Sequence, residues 1–407
     1  MDFSRRKFLK GAAVAGGAMA GGRILGPMGE ALAAEKTAVV CVYFQGGYNS
    51  LFGSADSFLS NGIFNVTNSN VLNVGNGVFT DKSTIGTMPK LALDHMAAIG
   101  VRHGITSHFS VETALLQGGG NNYLLNFANA IGGNSALKAV YLGGDSRSGF
   151  PGAYPPAVNG TSLQHITDMK TAINALGGGT PDPRVPDRAI ATTGIDTAKA
   201  LSQRQLEDSP TSLAAVQNGL DSSLEVLKKP VKPFSFDELA KAYGLPAGDM
   251  RITTAFATKF AAAELMIRAG TNVVCLMDAR DTDIVPWDFH QVGAGGSLNG
   301  TYSRSRMTSR VINPLRVFLD RMMTLTGYNV VTAVYGDFGR SPRGDHIPFL
   351  TPTVFGKYVK QGTTGKVSDQ STYGASTPGI KEFYAYLAAV AKVPGTPFGA
   401  NPHALVL

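Results

Sequence analysis

The chain has little cysteine, a single tryptophan and few charges. Cysteine occurs twice in 407 residues, at Cys41 and Cys275. Two thiols exclude a disulfide-stapled scaffold and the common four-cysteine zinc modules. One tryptophan, Trp287, leaves too few aromatic platforms for a carbohydrate-stacking surface. Charged residues make up 16%, against a usual share of about 25%, which excludes a Glu- and Lys-rich coiled coil. A hydrophobic share of 43% is too high for a disordered chain. No run of about twenty apolar residues occurs, so no stable membrane span is expected after processing. No GxGxxG follows the first apolar run, and neither a GK[ST] P-loop nor a GxSxG elbow is present, so dinucleotide, nucleotide-phosphate and α/β-hydrolase readings have no support. No repeat with a period of roughly 20–50 residues is found, which excludes a solenoid or propeller.

What is present begins with a basic N-terminus. The net charge is +7, but residues 1–33 hold Arg5, Arg6, Lys7, Lys10 and Arg23 against Asp2 and Glu30. That segment accounts for +3 and the rest of the chain for +4, without a dense Lys/Arg stripe. No nucleic-acid partner is expected from so thin a charge. Ser4-Arg5-Arg6-Lys7-Phe8-Leu9-Lys10, a weakly apolar Ala/Gly run and Ala31-Leu32-Ala33 follow the charged, apolar, small-residue order of a twin-arginine export signal. The expectation is a signal peptide over 1–33, a body over 34–407, the twin-arginine translocase as export partner, and a periplasmic or secreted destination. In that oxidising compartment a Cys41–Cys275 disulfide and two free buried thiols are both open.

Continuous β-branched and apolar runs over 37–44, 98–105, 139–142, 272–277 and 329–335 read as strands covered on both faces, typical of a parallel sheet. Helical patterns lie between and after them, over 110–116, 123–131, 196–206, 212–227, 252–269, 304–325 and 380–393. This alternation predicts a three-layer α/β fold with a mostly parallel central sheet. The stretch from about 186 to 250 lacks strand signals and reads as a helical insertion. Gly is abundant, 49 residues, and with Asn and Ser it marks loops over 60–90, 117–122, 144–163 and 291–300.

In such sheets ligands sit beyond the carboxyl ends of the strands, so the polar residues there carry the information. After the first run, Gly46-Gly47-Tyr48-Asn49-Ser50 lets backbone approach an anion or metal. After the second, Ser107 is placed to cap a helix, with His108 beside it. After the fourth come Asp278, Asp281 and Asp283, then Pro286-Trp287-Asp288-Phe289-His290. In an extended segment Asp288 and His290 point the same way, a carboxylate and an imidazole suited to a metal. After the fifth, Asp337-Phe338-Gly339-Arg340-Ser341-Pro342-Arg343-Gly344-Asp345-His346 is the densest polar cluster. Arg340 and Arg343 suit the oxygens of a phosphate or sulfate. Each segment also has a structural explanation: a tight turn, a capped helix or a set of surface ion pairs.

These motifs together resemble the bacterial exported family called domain of unknown function 1501. Trp287-Asp288-Phe289-His290 and Asp337-Phe338-Gly339-Arg340 carry the resemblance most specifically. That family is similar to the alkaline phosphatase and sulfatase superfamily. The resemblance implies an alkaline phosphatase-like α/β/α sandwich and one or two divalent ions (Zn, Mn, Mg or Ca) gripping a phosphate or sulfate ester. It places Asn49, Asp288, His290, Asp337, Asp345 and His346 at ligand-like positions. Ser107 becomes the nucleophile candidate and Arg340 faces the ester oxygens. Gly46, Gly47, His108 and Arg343 contribute to substrate binding. Asn49 stands where the family usually has Asp, and Asp337 where it often has Glu. Losing one negative charge at Asn49 makes a one-metal site, or a site that binds without turnover, an alternative to a two-metal hydrolase.

Overall fold

The uninterrupted apolar run after Lys36 becomes the central strand of a large sheet. The computed structural model describes residues 35–118, 122–133, 135, 137–143, 157–173, 236–249, 251–278, 287–289 and 296–407, with isolated residues between 193 and 204. The proposed signal segment and most of the expected helical insertion lie outside these residues. Lys36–Leu407 forms one compact unit.

Eight strands make the main sheet: β1 (Lys36–Phe44), β2 (Met96–Ala98), β3 (Ala139–Leu142), β4 (Leu163–Ile166), β5 (Val273–Asp278), β6 (Tyr328–Gly336), β7 (Thr353–Phe355) and β8 (Gly362–Thr363). Their order across the sheet is β8-β2-β7-β6-β1-β5-β3-β4. β1 runs parallel to β5 and β6 on either side, and β3 runs parallel to β5 and β4. Only β7 runs against its neighbours β2 and β6.

The main helices are α1 (Leu51–Ser54), α2 (His108–Gln117), α3 (Tyr123–Ile131), α4 (Phe236–Tyr243), α5 (Phe256–Arg268), α6 (Gly296–Arg306), α7 (Asn313–Met323) and α8 (Ile380–Val390). Alternation along β1 feeds two separate cores. Ala38, Val40, Val42 and Phe44 pack with residues of α5 and α7. Val39, Cys41 and Tyr43 pack with residues of α2, α3 and α8. Apolar side chains on both faces explain why β1 has no polar alternation; each fully buried Val or Phe contributes about 1.5–3 kcal/mol. The result is an α/β fold with a mostly parallel central sheet and helices on both faces, an arrangement compatible with a three-layer sandwich.

Local chemistry sets the boundaries. Ala-rich α5 stops at Gly270, whose φ is +102°. There Thr271 N–H donates to Met266 O at 2.9 Å and Gly270 N–H to Ile267 O at 3.0 Å, closing the helix with a Schellman motif. The run expected as one strand over 98–105 divides into β2 and a short segment, Val101–Arg102. At the break, Gly100 donates to Thr364 Oγ1 at 2.7 Å. The helix expected over 304–325 starts earlier, as α6, so the loop expected over 291–300 is helical from Gly296. It then passes through a π-helical turn, Met307–Ile312, and resumes as α7. The loop expected over 60–90 contains a hairpin, Val71–Gly75 with Val78–Asp81. Cys41 and Cys275 are register partners on β1 and β5, and both are buried free thiols. Burial raises the Cys41 thiol to about 11 and that of Cys275 upward as well, which disfavours the reactive thiolate.

Candidate metal centre

Three adjacent strands, β1, β5 and β6, deliver polar residues at their carboxyl ends. Phe44 and Gly336 are register partners, so Gln45-Gly46-Gly47 leaves β1 beside Asp337, which follows β6. The backbones meet closely: a Cβ on Gly336 would lie 2.5 Å from the Phe44 carbonyl oxygen. Trp287, after β5, is pinned to the same place. Its backbone N–H donates to Gln45 O at 3.0 Å, its indole N–H to Asp278 Oδ2 at 2.8 Å, and its ring lies 4.4 Å from that of Phe44. Asp288 is thereby held at the mouth of the sheet.

Asp337 is fully buried and accepts from three donors. The Tyr43 hydroxyl donates to Oδ1. At Oδ2, the Gly46 N–H donates at 2.8 Å and His108 Nδ1 lies at 2.6 Å. Burial, reinforced by Asp337, keeps the Tyr43 phenol well above its ordinary pKa and so protonated. His108 opens α2, and its other nitrogen, Nε2, is 3.2 Å from Asp288 Oδ2. Burial pulls the His108 pKa down, but hydrogen bonds and attraction to Asp288 and Asp337 outweigh it and raise the pKa to about 9. Four residues on along α2, Glu112 accepts from Gln45 Nε2 at 2.8 Å.

Past Phe338 the chain forms a two-stranded ribbon, Gly339–Arg340 against His346–Ile347. Ser341 shapes its turn, its hydroxyl accepting from the N–H groups of Arg343 at 3.2 Å and Asp345 at 2.9 Å. Arg340 and His346 are cross-strand partners and converge on Asp288 Oδ1. A terminal guanidinium nitrogen of Arg340 donates to it at 2.8 Å, and His346 Nε2 lies 3.3 Å away. The same nitrogen of Arg340 also donates to the Gly46 carbonyl and, at 3.1 Å, to that of Trp287. Its second terminal nitrogen donates to Gly344 O at 3.1 Å. The His346 ring stacks on Phe338 with centroids 4.4 Å apart and lies 4.3 Å from the His108 ring.

The tautomers decide what this cluster can hold. His346 Nδ1 lies 3.2 Å from the Thr106 carbonyl, which can only accept, so Nδ1 carries a hydrogen. In the neutral ring Nε2 is then a lone pair facing a carboxylate, and His108, with Nδ1–H given to Asp337, presents the same problem. Both imidazoles call for a positive charge between themselves and Asp288, either a second ring proton or a metal ion. One ligand atom each from His108, Asp288 and His346 lie within 4.8 Å of one another. Two imidazoles and a carboxylate suit Zn or another first-row divalent ion. A second group, His108, Glu112 and Asp337, meets the same spacing but reuses the His108 ring.

Several expected roles change. Asp337 belongs to the second ligand group, while both its oxygens also accept hydrogen bonds and it orients His108 from behind. Asn49 is buried away from a ligand role. Its Oδ1 accepts from Leu51 N–H at 3.0 Å, and its amide donates to Asn299 Oδ1 at 2.9 Å. Arg340 is 1% exposed and its terminal nitrogens serve protein acceptors, so it does not face ester oxygens. The Gly46 N–H and carbonyl are taken by Asp337 and Arg340, and Gly47 N–H donates to Phe44 O at 3.3 Å, so these amides build the site and are not free for an anion. Ser107 occupies the N-cap position of α2, is exposed, and makes no side-chain capping bond. Asp345 and Arg343 are exposed on the ribbon turn, and neither belongs to the two ligand groups. Asp278 holds Trp287 and pairs with Arg310 at 3.3 Å. His290, Asp281 and Asp283 lie outside the described residues. Tyr43, Gln45 and Glu112 were missed by sequence reasoning; the His108–Glu112 spacing, one helical turn, was the available signal.

Comparison with known proteins adds no relative: no protein-family model, curated protein or solved structure matches this chain. Among the described residues, no helix is long and apolar enough to cross a membrane.

Proposed function

We propose that this chain is an exported, metal-dependent hydrolase of phosphate or sulfate esters, built on an alkaline phosphatase-like domain. The observation that carries the reading is the convergence of His108 Nε2, Asp288 and His346 Nε2 at the carboxyl edge of three central strands. The chain's own residues prepare the site. Asp337 fixes the His108 tautomer, Phe338 braces the His346 ring, and Arg340 anchors Asp288. Bound there, a divalent ion supplies Lewis-acid polarisation of an ester oxygen. Ser107, exposed beside His108 and not engaged in capping, is the nucleophile candidate. The twin-arginine-like N-terminus supports translocase-dependent export to the periplasm. Purified protein refolded with Zn, Mn, Mg or Ca should retain a divalent ion and hydrolyse aryl phosphate or sulfate esters. The absence of both metal retention and turnover with all four ions would sink the proposal.

A second reading is a non-catalytic envelope binding or assembly protein. The commitment of Asn49 to Asn299 and Leu51 favours it, because a ligand-like position of the resembled family is then spent on structure. Metal retention without ester turnover would select this reading over the first.

A further inference from the structure

We propose that Cys41 and Cys275 form a paired dithiol that the fold seals against oxidation, so that the chain must finish folding before it enters an oxidising compartment. The link to export rests on the twin-arginine-like reading above, while the thiol chemistry rests on the sheet alone. The two cysteines are far apart in sequence, yet they are register partners on the adjacent parallel strands β1 and β5. The row continues on both sides, with Ala333 of β6 opposite Cys41 and Tyr141 of β3 opposite Cys275. All four side chains share one face of the sheet and are 0% exposed. Residues of α2, α3 and α8 pack in the same core.

Such a pair is close enough to react and poorly placed to bond. Side chains of parallel register partners leave the sheet side by side, about one strand spacing apart, roughly 4.7–4.9 Å. A relaxed disulfide draws its Cβ atoms to about 3.5–4.5 Å. Inside an eight-stranded sheet, β1 and β5 cannot pinch together without disturbing the packed rows beside them. The bond would be strained and easily reduced.

Burial protects the thiols only once the chain has folded. Exchange begins when a thiolate attacks a disulfide oxidant. The second thiolate then resolves the mixed disulfide, both protons pass to the oxidant's sulfurs, and the oxidant leaves as two thiols carrying two electrons. In the folded chain, burial raises Cys41 from 9.0 to about 11 against the pull of a hydrogen bond with Tyr335. It raises Cys275 as well, and the neighbouring Cys41 adds to that shift. Few thiolates form, and the packed core bars the oxidant. In the unfolded chain both thiols are exposed, and a disulfide between them closes more than half the chain into a ring. A chain that crosses the membrane folded arrives as a dithiol, whereas one threaded across unfolded meets the oxidant first.

The test uses the unaltered full chain. Folded protein and protein in urea are incubated with glutathione disulfide, and free thiols are counted by alkylation and mass. The folded thiols should disappear at least about a hundredfold more slowly, the factor by which a rise from 9.0 to about 11 thins the thiolate. The chain oxidised in urea is then returned to native buffer. Emission of the single tryptophan, Trp287, buried against Phe44 at the end of β1, reports the native state. The oxidised chain should either fail to recover that emission until reduced or unfold at lower urea than the dithiol, although ring closure by itself would raise its midpoint. Weaker protection of the folded thiols, or an oxidised chain that refolds with an equal or higher midpoint, overturns the inference. Alkylation of the chain recovered from the periplasm of an exporting bacterium should find both thiols free, and a disulfide there overturns it too. A chain that never leaves the cytoplasm fails the export reading alone, and the purified protein still decides the thiol chemistry.

Discussion

Asp337 Oδ2 meets His108 Nδ1 at 2.6 Å, and this contact determines which imidazole nitrogen faces the cluster. A carboxylate behind a ligating histidine fixes its tautomer and raises its basicity, and losing it typically costs about 10–100-fold in metal affinity. Asp337→Asn should therefore weaken metal binding by that factor in a chelator competition. It should also lower stability by roughly 1–3 kcal/mol, because Tyr43, Gly46 and His108 all donate to a carboxylate and an amide NH2 cannot accept from them. Unchanged metal affinity would remove Asp337 from its positioning role.

Asp288 and His346 separate ligation from packing. Asp288 is the anion opposite buried Arg340, with their nearest atoms 2.8 Å apart. Asp288→Asn should cost about 3–5 kcal/mol in a denaturant titration, since it strands a buried guanidinium. His346→Gln removes a half-buried ring and leaves that pair intact. It should lower metal occupancy with a clearly smaller loss of stability. Equal destabilisation by both changes would argue that the cluster is a structural ion-pair network.

How far the sequence disclosed this arrangement depends on the kind of signal each element carries. Four interior strands were legible because burial on both faces leaves an unbroken apolar run: residues 139–142 match β3 end to end, and β1, β5 and β6 differ by a residue or so at each end, whereas the three-residue interior strands β2 and β7 are too short to leave such a run, and the 98–105 run meets β2 only at Ala98. Edge strands such as β4 and β8 were not, since Leu163–Ile166 and Gly362–Thr363 are short and half polar. The hairpin at Val71–Asp81 was missed although Asn76-Gly77, both at positive φ, is a strong turn signal for such a hairpin. At the site, residue types after the strands located the chemistry, and Asp288, Asp337, Arg340 and His346 do come together. Their division of labour was not legible. Which carboxylate faces the cluster and which orients His108 depends on the hydrogen bonds that Tyr43 and Gly46 donate to Asp337 and on the Gly344 carbonyl that accepts from Arg340, groups with no recognisable motif.

Gly47 offers a backbone test of the same site. At φ +147° an L side chain is strained, and its Cβ would press on Arg340 Nε. Gly47→Ala should destabilise the protein by about 1–3 kcal/mol. It should also loosen metal binding, because Arg340 cannot move without releasing Asp288. A variant with native stability and native metal affinity would show that the Gly46-Gly47 turn tolerates displacement of the guanidinium.

Lys259 supplies a pH-dependent prediction away from the cluster. Its side chain is fully buried on α5, donating to the Met277 carbonyl beside the Phe256 ring. Burial lowers its pKa from 10.5 to about 8, with Asp278 opposing and Arg310 adding to the shift. Below pH 8 the ammonium is charged in both folded and unfolded chains, and folding bears the whole cost of burying it, roughly 3 kcal/mol. Between pH 8 and 10.5 the folded chain has released the proton while the unfolded chain retains it, so this penalty shrinks as pH rises. Lys259→Met keeps the volume and removes the charge, while Asp278 keeps Trp287 and Arg310. The variant should be more stable than the parent at pH 7, with the gap narrowing by pH 9.5 in paired denaturant titrations. A gap of the same size at both pH values would mean that Lys259 keeps its charge in the folded protein across that range.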